Sequence, residues 1–202
     1  MAWWFGSDWH WWHSRIIELS NRPFNSVEEM NEHLIKVWNE LVAYDDDVCM
    51  AGDISFGDAN QTEAILRRLN GKKYLVKGNH DNEYNVLSEQ CLKYFVWVKD
   101  RAEIKLKDPN TASKERIIIV SHEPKLTWAG GYKIDKKGQY RYLHAHGHCH
   151  SSINHLNKDT TREDIGVDNI PNYALLSEEQ LLARYKNRTY MVVDHHGKNN
   201  KK

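Results

Sequence analysis

Along this chain an apolar run repeatedly ends in a small residue that is followed by a side chain able to hold a metal ion. A short buried strand over residues 3–8 ends at Gly6-Ser7-Asp8 and opens Asp8-x-His10, residues 48–51 lead into Gly52-Asp53, and residues 74–76 into Gly78-Asn79-His80-Asp81. The β-branched run 117–120 delivers Ser121-His122, and residues 140–143 precede Gly147-His148-x-His150. Runs of this length suit short buried strands, and helical periodicity appears between them, so the pattern predicts an α/β fold. In open α/β sheets ligand sites lie just beyond the carboxyl ends of strands. Several such ends, each tipped with a ligand-type residue, would converge on one site.

The intervening segments carry their own signals. Ser26-x-x-Glu29 reads as a capping box, and Val27, Met30, Leu34, Val37 and Leu41 follow at helical spacing. A second helix is predicted over residues 59–70, closed by Gly71. Ala102, Ile104 and Leu106 alternate as a half-buried strand, and Asp108-Pro109-Asn110 forms a turn. Residues 117–120 suit a strand covered on both faces. Residues 125–139 read as a loop, a last helix starts at Ser177, and a last strand is predicted over residues 189–193. There is no internal repeat or Pro/Gly/Ser linker, so residues 1–195 are expected to form one domain, followed by a short basic tail over 196–202.

Composition excludes several roles. No apolar run approaches the roughly 20 residues that span a bilayer. The apolar N-terminus has no basic stretch and meets Asp8 too early for a secretory leader. Lysine plus arginine and aspartate plus glutamate each number 28, so the chain lacks the basic surplus that binds extended duplex nucleic acid. Three cysteines without a C-x-x-C pair suit a reducing cytoplasm.

The boxes differ in weight. A lone D-x-H turns up by chance in about half of chains this long, whereas G-N-H-D does so in roughly a few per thousand. With Asn21-Arg22-Pro23-Phe24, Ser121-His122-Glu123-Pro124 and Gly166-Val167-Asp168 added, the whole set resembles the calcineurin-like metallophosphoesterase superfamily. It is most similar to the compact single-domain phosphoesterases of bacteria, archaea and phages. The resemblance implies a four-layer α/β/β/α sandwich of two mixed β-sheets flanked by helices. It also implies a dinuclear site in which Asp8, His10 and His150 hold one ion, Asn79, His122 and His148 hold the other, and Asp53 bridges them. The expected activity is hydrolysis of a phosphate ester, a small phosphodiester or a nucleotide, by a metal-bridging hydroxide. A nuclease acting on nucleic-acid ends and a non-catalytic metal-binding scaffold are the alternatives. The mixed carboxylate, imidazole and amide donors suit Mn, Fe, Zn, Co or Ni, with Mn favoured.

The resemblance also implies that His80 contacts the substrate phosphate and protonates the leaving group. Asp81 would fix the His80 tautomer. His13, Arg22 and His146 are candidates for lining the site, with structural pairing an equal reading for Arg22. In an extended segment residues 144, 146, 148 and 150 would share one face. Trp9, Trp11 and Trp12 alternate with site residues; they either stack a base beside the metals or pack the core, and core packing ranks first.

Overall fold

The structure is a computed structural model and describes residues 1–82, 85–191 and 193. The chain begins with β1 (Trp3–Gly6), the single turn α1 (Ile16–Leu19) and the long helix α2 (Val27–Leu41). Then come β2 (Asp47–Met50), α3 (Ala59–Arg68), β3 (Lys72–Val76), the short α4 (Glu89–Leu92) and β4 (Phe95–Lys99). The second half contains β5 (Ala102–Lys107), β6 (Glu115–Val120), β7 (Tyr142–His146), α5 (Asn154–Asn157), β8 (Arg162–Asp164), β9 (Leu176–Ser177) and α6 (Glu178–Arg184).

These strands build two mixed sheets, ordered β4-β3-β2-β1-β9 and β5-β6-β7-β8. Strands β1 to β4 are parallel and β9 is antiparallel to β1, while β5 is antiparallel to an otherwise parallel β6-β7-β8. The apolar character of β2 and β6 follows from burial on both faces: Val48 and Met50 face the helices while Cys49 faces the other sheet. Phe5, Cys49 and Val76 of the first sheet pack with Ile104, Ile118, Leu143 and Ala145 of the second. On the outer face of the first sheet α2 and α3 contribute Met30, Leu34, Trp38, Ile65 and Leu66. The outer face of the second sheet is covered by Trp128, from the loop over residues 125–139, together with Tyr190. Strand β5 shows the alternation read from its sequence, with Ala102, Ile104 and Leu106 inward.

Some details depart from the sequence reading. Ser26 caps α2 by accepting the Glu29 N–H at 3.1 Å, but the Glu29 carboxylate takes the Asn25 N–H at 2.8 Å instead of closing a box on Ser26. Full capping boxes occur at Asp58/Gln61 and Ser177/Gln180. Strand β7 starts later and runs further than predicted, to His146. Beyond α6 the predicted strand is reduced to a single bridge between Thr160 and Thr189; Tyr190 and Met191 are not in a strand, and Val192 lies outside the described residues. The basic tail lies outside them too.

The tryptophan cluster resolves toward packing. Trp9 and Trp11 are 1% and 0% exposed, stack at a centroid distance of 5.5 Å, and both meet Trp38 of α2. Neither indole can stack on a ligand. Trp12 is half-buried against the same cluster, with its backbone N–H on Asn31 Oδ1. Trp9→Ala is therefore expected to lower folding stability by about 3–5 kcal/mol in a denaturant titration.

Candidate metal centre

The carboxyl ends of β1, β2, β3, β6 and β7 open at one edge of the sandwich, and the loops that follow them carry the histidine and carboxylate boxes. Backbone bonds tie the first two loops together: Asp8 N–H donates to Gly52 O at 3.0 Å and His10 N–H to Asp53 O at 3.2 Å. The small residues in the boxes are required by close approach. A Cβ on Gly78 would lie 2.2 Å from Asp53 Oδ1, and one on Gly147 would lie 2.4 Å from Asp8 Oδ2.

Asp8, His10, Asp53, His148 and His150 all have positive φ, between 43° and 69°. Non-glycine residues visit this region rarely, and each such residue stores roughly 1–3 kcal/mol of strain. Five ligand-type residues strained together, at the tips of loops from one sheet edge, mark a place where side-chain aim outranks backbone comfort.

Their atoms converge in two groups. In the first, Asp8, His10 and His150 bring one ligand atom each within 4.8 Å of one another. His10 Nε2 lies 3.1 Å from His150 Nε2 and 4.0 Å from Asp8 Oδ1. In the second, Asp53, His122 and His148 do the same. Asn79 Oδ1 joins them, 3.0 Å from both His122 Nε2 and His148 Nδ1. Asp53 Oδ2 stands between the groups, 3.9 Å from His10 Nε2 and 3.4 Å from His122 Nε2.

The donor chemistry calls for cations. His122 Nδ1–H donates to Ala51 O at 2.8 Å, so in the neutral ring Nε2 presents a lone pair to two oxygens. Burial opposes charge on this ring, but the Asp53 hydrogen bond and the fields of Asp8 and Asp53 raise its pKa to about 9. In the metal-free protein a proton thus fills the place of a positive charge. His150 Nδ1–H donates to Asp168 Oδ2 at 2.6 Å, which turns its Nε2 toward His10 in the same way. Burial holds the His10 pKa well down, and it raises that of Asp8 to about 6 against the pull of His122 and His150. Each group therefore has the oxygen and imidazole donors of a transition-metal site, with outer partners that set the histidine tautomers.

The remaining candidates fall into place around these groups. His80 borders the cavity, with its N–H on Asp53 Oδ1 at 3.0 Å and its ring 4.9 Å from that of Phe56. Asp81 is buried with both oxygens on backbone amides, those of Ile54 (2.9 Å), Gly78 (2.7 Å) and Asp53 (3.2 Å). Its work is to clamp the loops after β2 and β3 together, and burial raises its pKa to about 6. His13 lines the cavity, its ring stacked on Phe56 at 3.9 Å.

Arg22 is 3% exposed and does not face the cavity. It forms a bidentate pair with Asp168 at 2.8 Å and donates to the carbonyls of Asp8 and Trp9. The loop beyond β7 is not extended, since His148 and His150 have positive φ, so the shared face predicted for residues 144 to 150 does not form. His146 is buried, with Nδ1–H on Gly147 O and Nε2 facing Asn157, behind the cavity wall. His144 donates through Nδ1 to Ile119 O and accepts Lys125 N–H on Nε2, which locks it neutral; burial and then His146 push its pKa down to about 3. A group with a lowered folded pKa stabilises the fold above its unfolded pKa, near 6.5 for histidine, and loses that contribution as pH falls. The stability advantage of wild type over His144→Gln is expected to shrink by about 1.4 kcal/mol per pH unit below pH 6.5, in paired denaturation curves.

Asp168 and Ser7 escape a search for ligand motifs. Ser7 Oγ–H donates to Asp8 Oδ2 at 2.6 Å. Gly166-Val167-Asp168 is the only sequence signal for the partner of His150.

The two mixed sheets flanked by helices, with this site at the strand ends, have the architecture of the metallo-dependent phosphatases. The calcineurin-like phosphoesterase family model matches residues 3–202, and the chain belongs to that family. Over 77 residues it is 46% identical to an uncharacterized protein of Methanocaldococcus jannaschii, a match covering 37% of this chain and 44% of that one. It is 31% identical over 165 residues to the Gene 66 protein of Mycobacterium phage L5, covering 74% of this chain and 78% of the phage protein. With the Gene 66 protein of Mycobacterium phage D29 the identity is 29% over 179 residues, covering 82% and 87%. Among solved structures, a protein of unknown function from Aquifex aeolicus is similar in fold, with a TM-score of 0.65 at 22% identity over 90% of this chain and 98% of that one. No helix among the described residues is long and apolar enough to cross a membrane.

Proposed function

We propose that this chain is a dinuclear metal-dependent phosphoesterase acting on a small phosphodiester or a nucleotide in the cytoplasm, as a single domain over residues 1–195. Asp8, His10 and His150 would hold one divalent ion, Asn79, His122 and His148 the other, and Asp53 would be shared between them; manganese is the favoured metal. The observation that carries this reading is the position of Asp53 Oδ2 within 3.9 Å of one ligand group and 3.4 Å of the other. Two divalent ions so held would activate a water for attack on phosphorus and neutralise the phosphate oxygens.

The chain's own residues do the rest. Asp53 Oδ2, which faces His10 and His122, would serve both ions, while Oδ1 accepts the His80 backbone N–H at 3.0 Å. His80 is thereby fixed at the cavity edge, where its imidazole can give a proton to the departing ester oxygen. Asp81, by bonding the amides of residues 53, 54 and 78, keeps the bridging and proton-donating loops in register.

A panel of divalent metals against phosphodiesters, phosphomonoesters, cyclic nucleotides and labelled oligonucleotides tests the activity. Hydrolysis of bis-p-nitrophenyl phosphate with manganese is the expected result; its absence in the two-metal protein would favour a binding scaffold. His80→Ala should cost about 100-fold on an alkyl ester, whose leaving oxygen needs a proton, and much less on a p-nitrophenyl ester. Equal losses on both would remove His80 from the proton-donor role.

A further inference from the structure

The cavity over the metal centre continues past the ligands, along the segment from His13 to Ser20. Its volume is about 480 Å³, which is much more than a phosphate group needs and falls in the range of small-molecule sites. Beyond the ligands and His80 its wall consists of His13, Arg15, Ile16, Leu19, Ser20 and Phe56. Leu19, on the single turn α1, is 63% exposed and lines this cavity.

The wall has a definite chemical bias. Among these described residues none is acidic, so an arm carrying positive charge is not suited to it. Ile16, Leu19 and Phe56 offer apolar surface, while Arg15 and Ser20 offer hydrogen-bond donors. His13 Nδ1 is buried without a hydrogen-bond partner. An orphaned buried lone pair is more readily tolerated than an orphaned N–H, which places the ring proton on Nε2. The parallel stack on Phe56, with an interplanar angle of 3°, holds the ring in place. An occupant must therefore have apolar faces and several acceptors together. A lipid chain lacks the acceptors, and a bare sugar lacks the apolar faces. A nucleobase has both.

Building on the phosphoesterase reading, we propose that the wall formed by His13, Arg15, Leu19 and Phe56 is a subsite for the nucleoside arm of the substrate. The base lies against Leu19 and Phe56, and His13 Nε2–H and Arg15 donate to its acceptors.

Calorimetric titration of the manganese-loaded protein with thymidine 5′-monophosphate and with 2-deoxyribose 5-phosphate isolates the base. Base stacking alone predicts that the nucleotide binds about tenfold more tightly. Leu19→Asp and His13→Phe should each collapse that ratio toward one; the phenyl ring keeps the stack on Phe56 but removes the donor. Equal affinities in wild type, or a ratio unchanged in both variants, would overturn the subsite. That outcome is separate from the phosphoesterase reading, which fails only if the loaded protein does not hydrolyse phosphate esters.

Discussion

Asp53→Asn is expected to lower kcat/KM for phosphodiester hydrolysis by about three orders of magnitude, or about 4 kcal/mol of transition-state stabilisation. The substitution preserves shape almost atom for atom, so the loss reports charge and donor chemistry. Asp53 Oδ1 accepts the His80 N–H at 3.0 Å, and the asparagine carbonyl will keep that bond because an amide NH₂ cannot accept it. The NH₂ then occupies the position of Oδ2, between His10 and His122, and points hydrogens at both ion positions. Ion occupancy should fall below two per chain. In the metal-free variant the His122 pKa should drop from about 9, because the Asp53 hydrogen bond and charge are among the causes that raise it. A loss smaller than tenfold, with two ions still bound, would show that Asp53 is not the bridge.

The second large effect is structural in origin and functional in reach. Arg22→Ala is expected to destabilise the fold by about 3–5 kcal/mol, since breaking a buried pair strands the remaining charge. Arg22 donates to Asp168 twice and to the carbonyls of Asp8 and Trp9, so its removal takes hydrogen bonds from three residues of the loop system at once. For a chain of this size that corresponds to a fall in Tm of about 10 °C in calorimetry. Asp168, released from Arg22, would also orient His150 less firmly, and losing such an outer partner costs about 10- to 100-fold in metal affinity. Arg22→Lys should recover little, because a single ammonium cannot reproduce the planar fork on Asp168. Near-normal stability and metal affinity in both variants would contradict this role.

The sheets and the ligand boxes were legible in the sequence for one physical reason. Parallel strands buried on both faces mostly read as continuous apolar runs, and the residues that leave them at the ligand edge must be small where loops touch. Gly52, Gly78 and Gly147 are the small residues that let Asp53, Asn79 and His148 approach their neighbours. What hid was whatever does not depend on local pattern. Strand β8, Arg162-Glu163-Asp164, is wholly buried yet entirely charged. It survives there because every side chain is paired: Arg162 donates to Asn157, Arg184 and Arg188 take Glu163, and the Gly166 amide takes Asp164. No periodicity announces such a strand. The Arg22–Asp168–His150 chain joins residues up to 146 positions apart, so only the fold brings it together. The left-handed backbone at Asp8, His10, Asp53, His148 and His150 is equally invisible, because tertiary packing imposes it on residues that would otherwise avoid it.

The central claim is that two ions share Asp53. It is tested most directly by a metal count on the manganese-reconstituted protein, combined with anomalous scattering from its crystals. The predicted result is two ions per chain, one beside Asp8, His10 and His150 and the other beside Asn79, His122 and His148, with Asp53 Oδ2 between them. A single ion, or two that do not both contact Asp53, would contradict it.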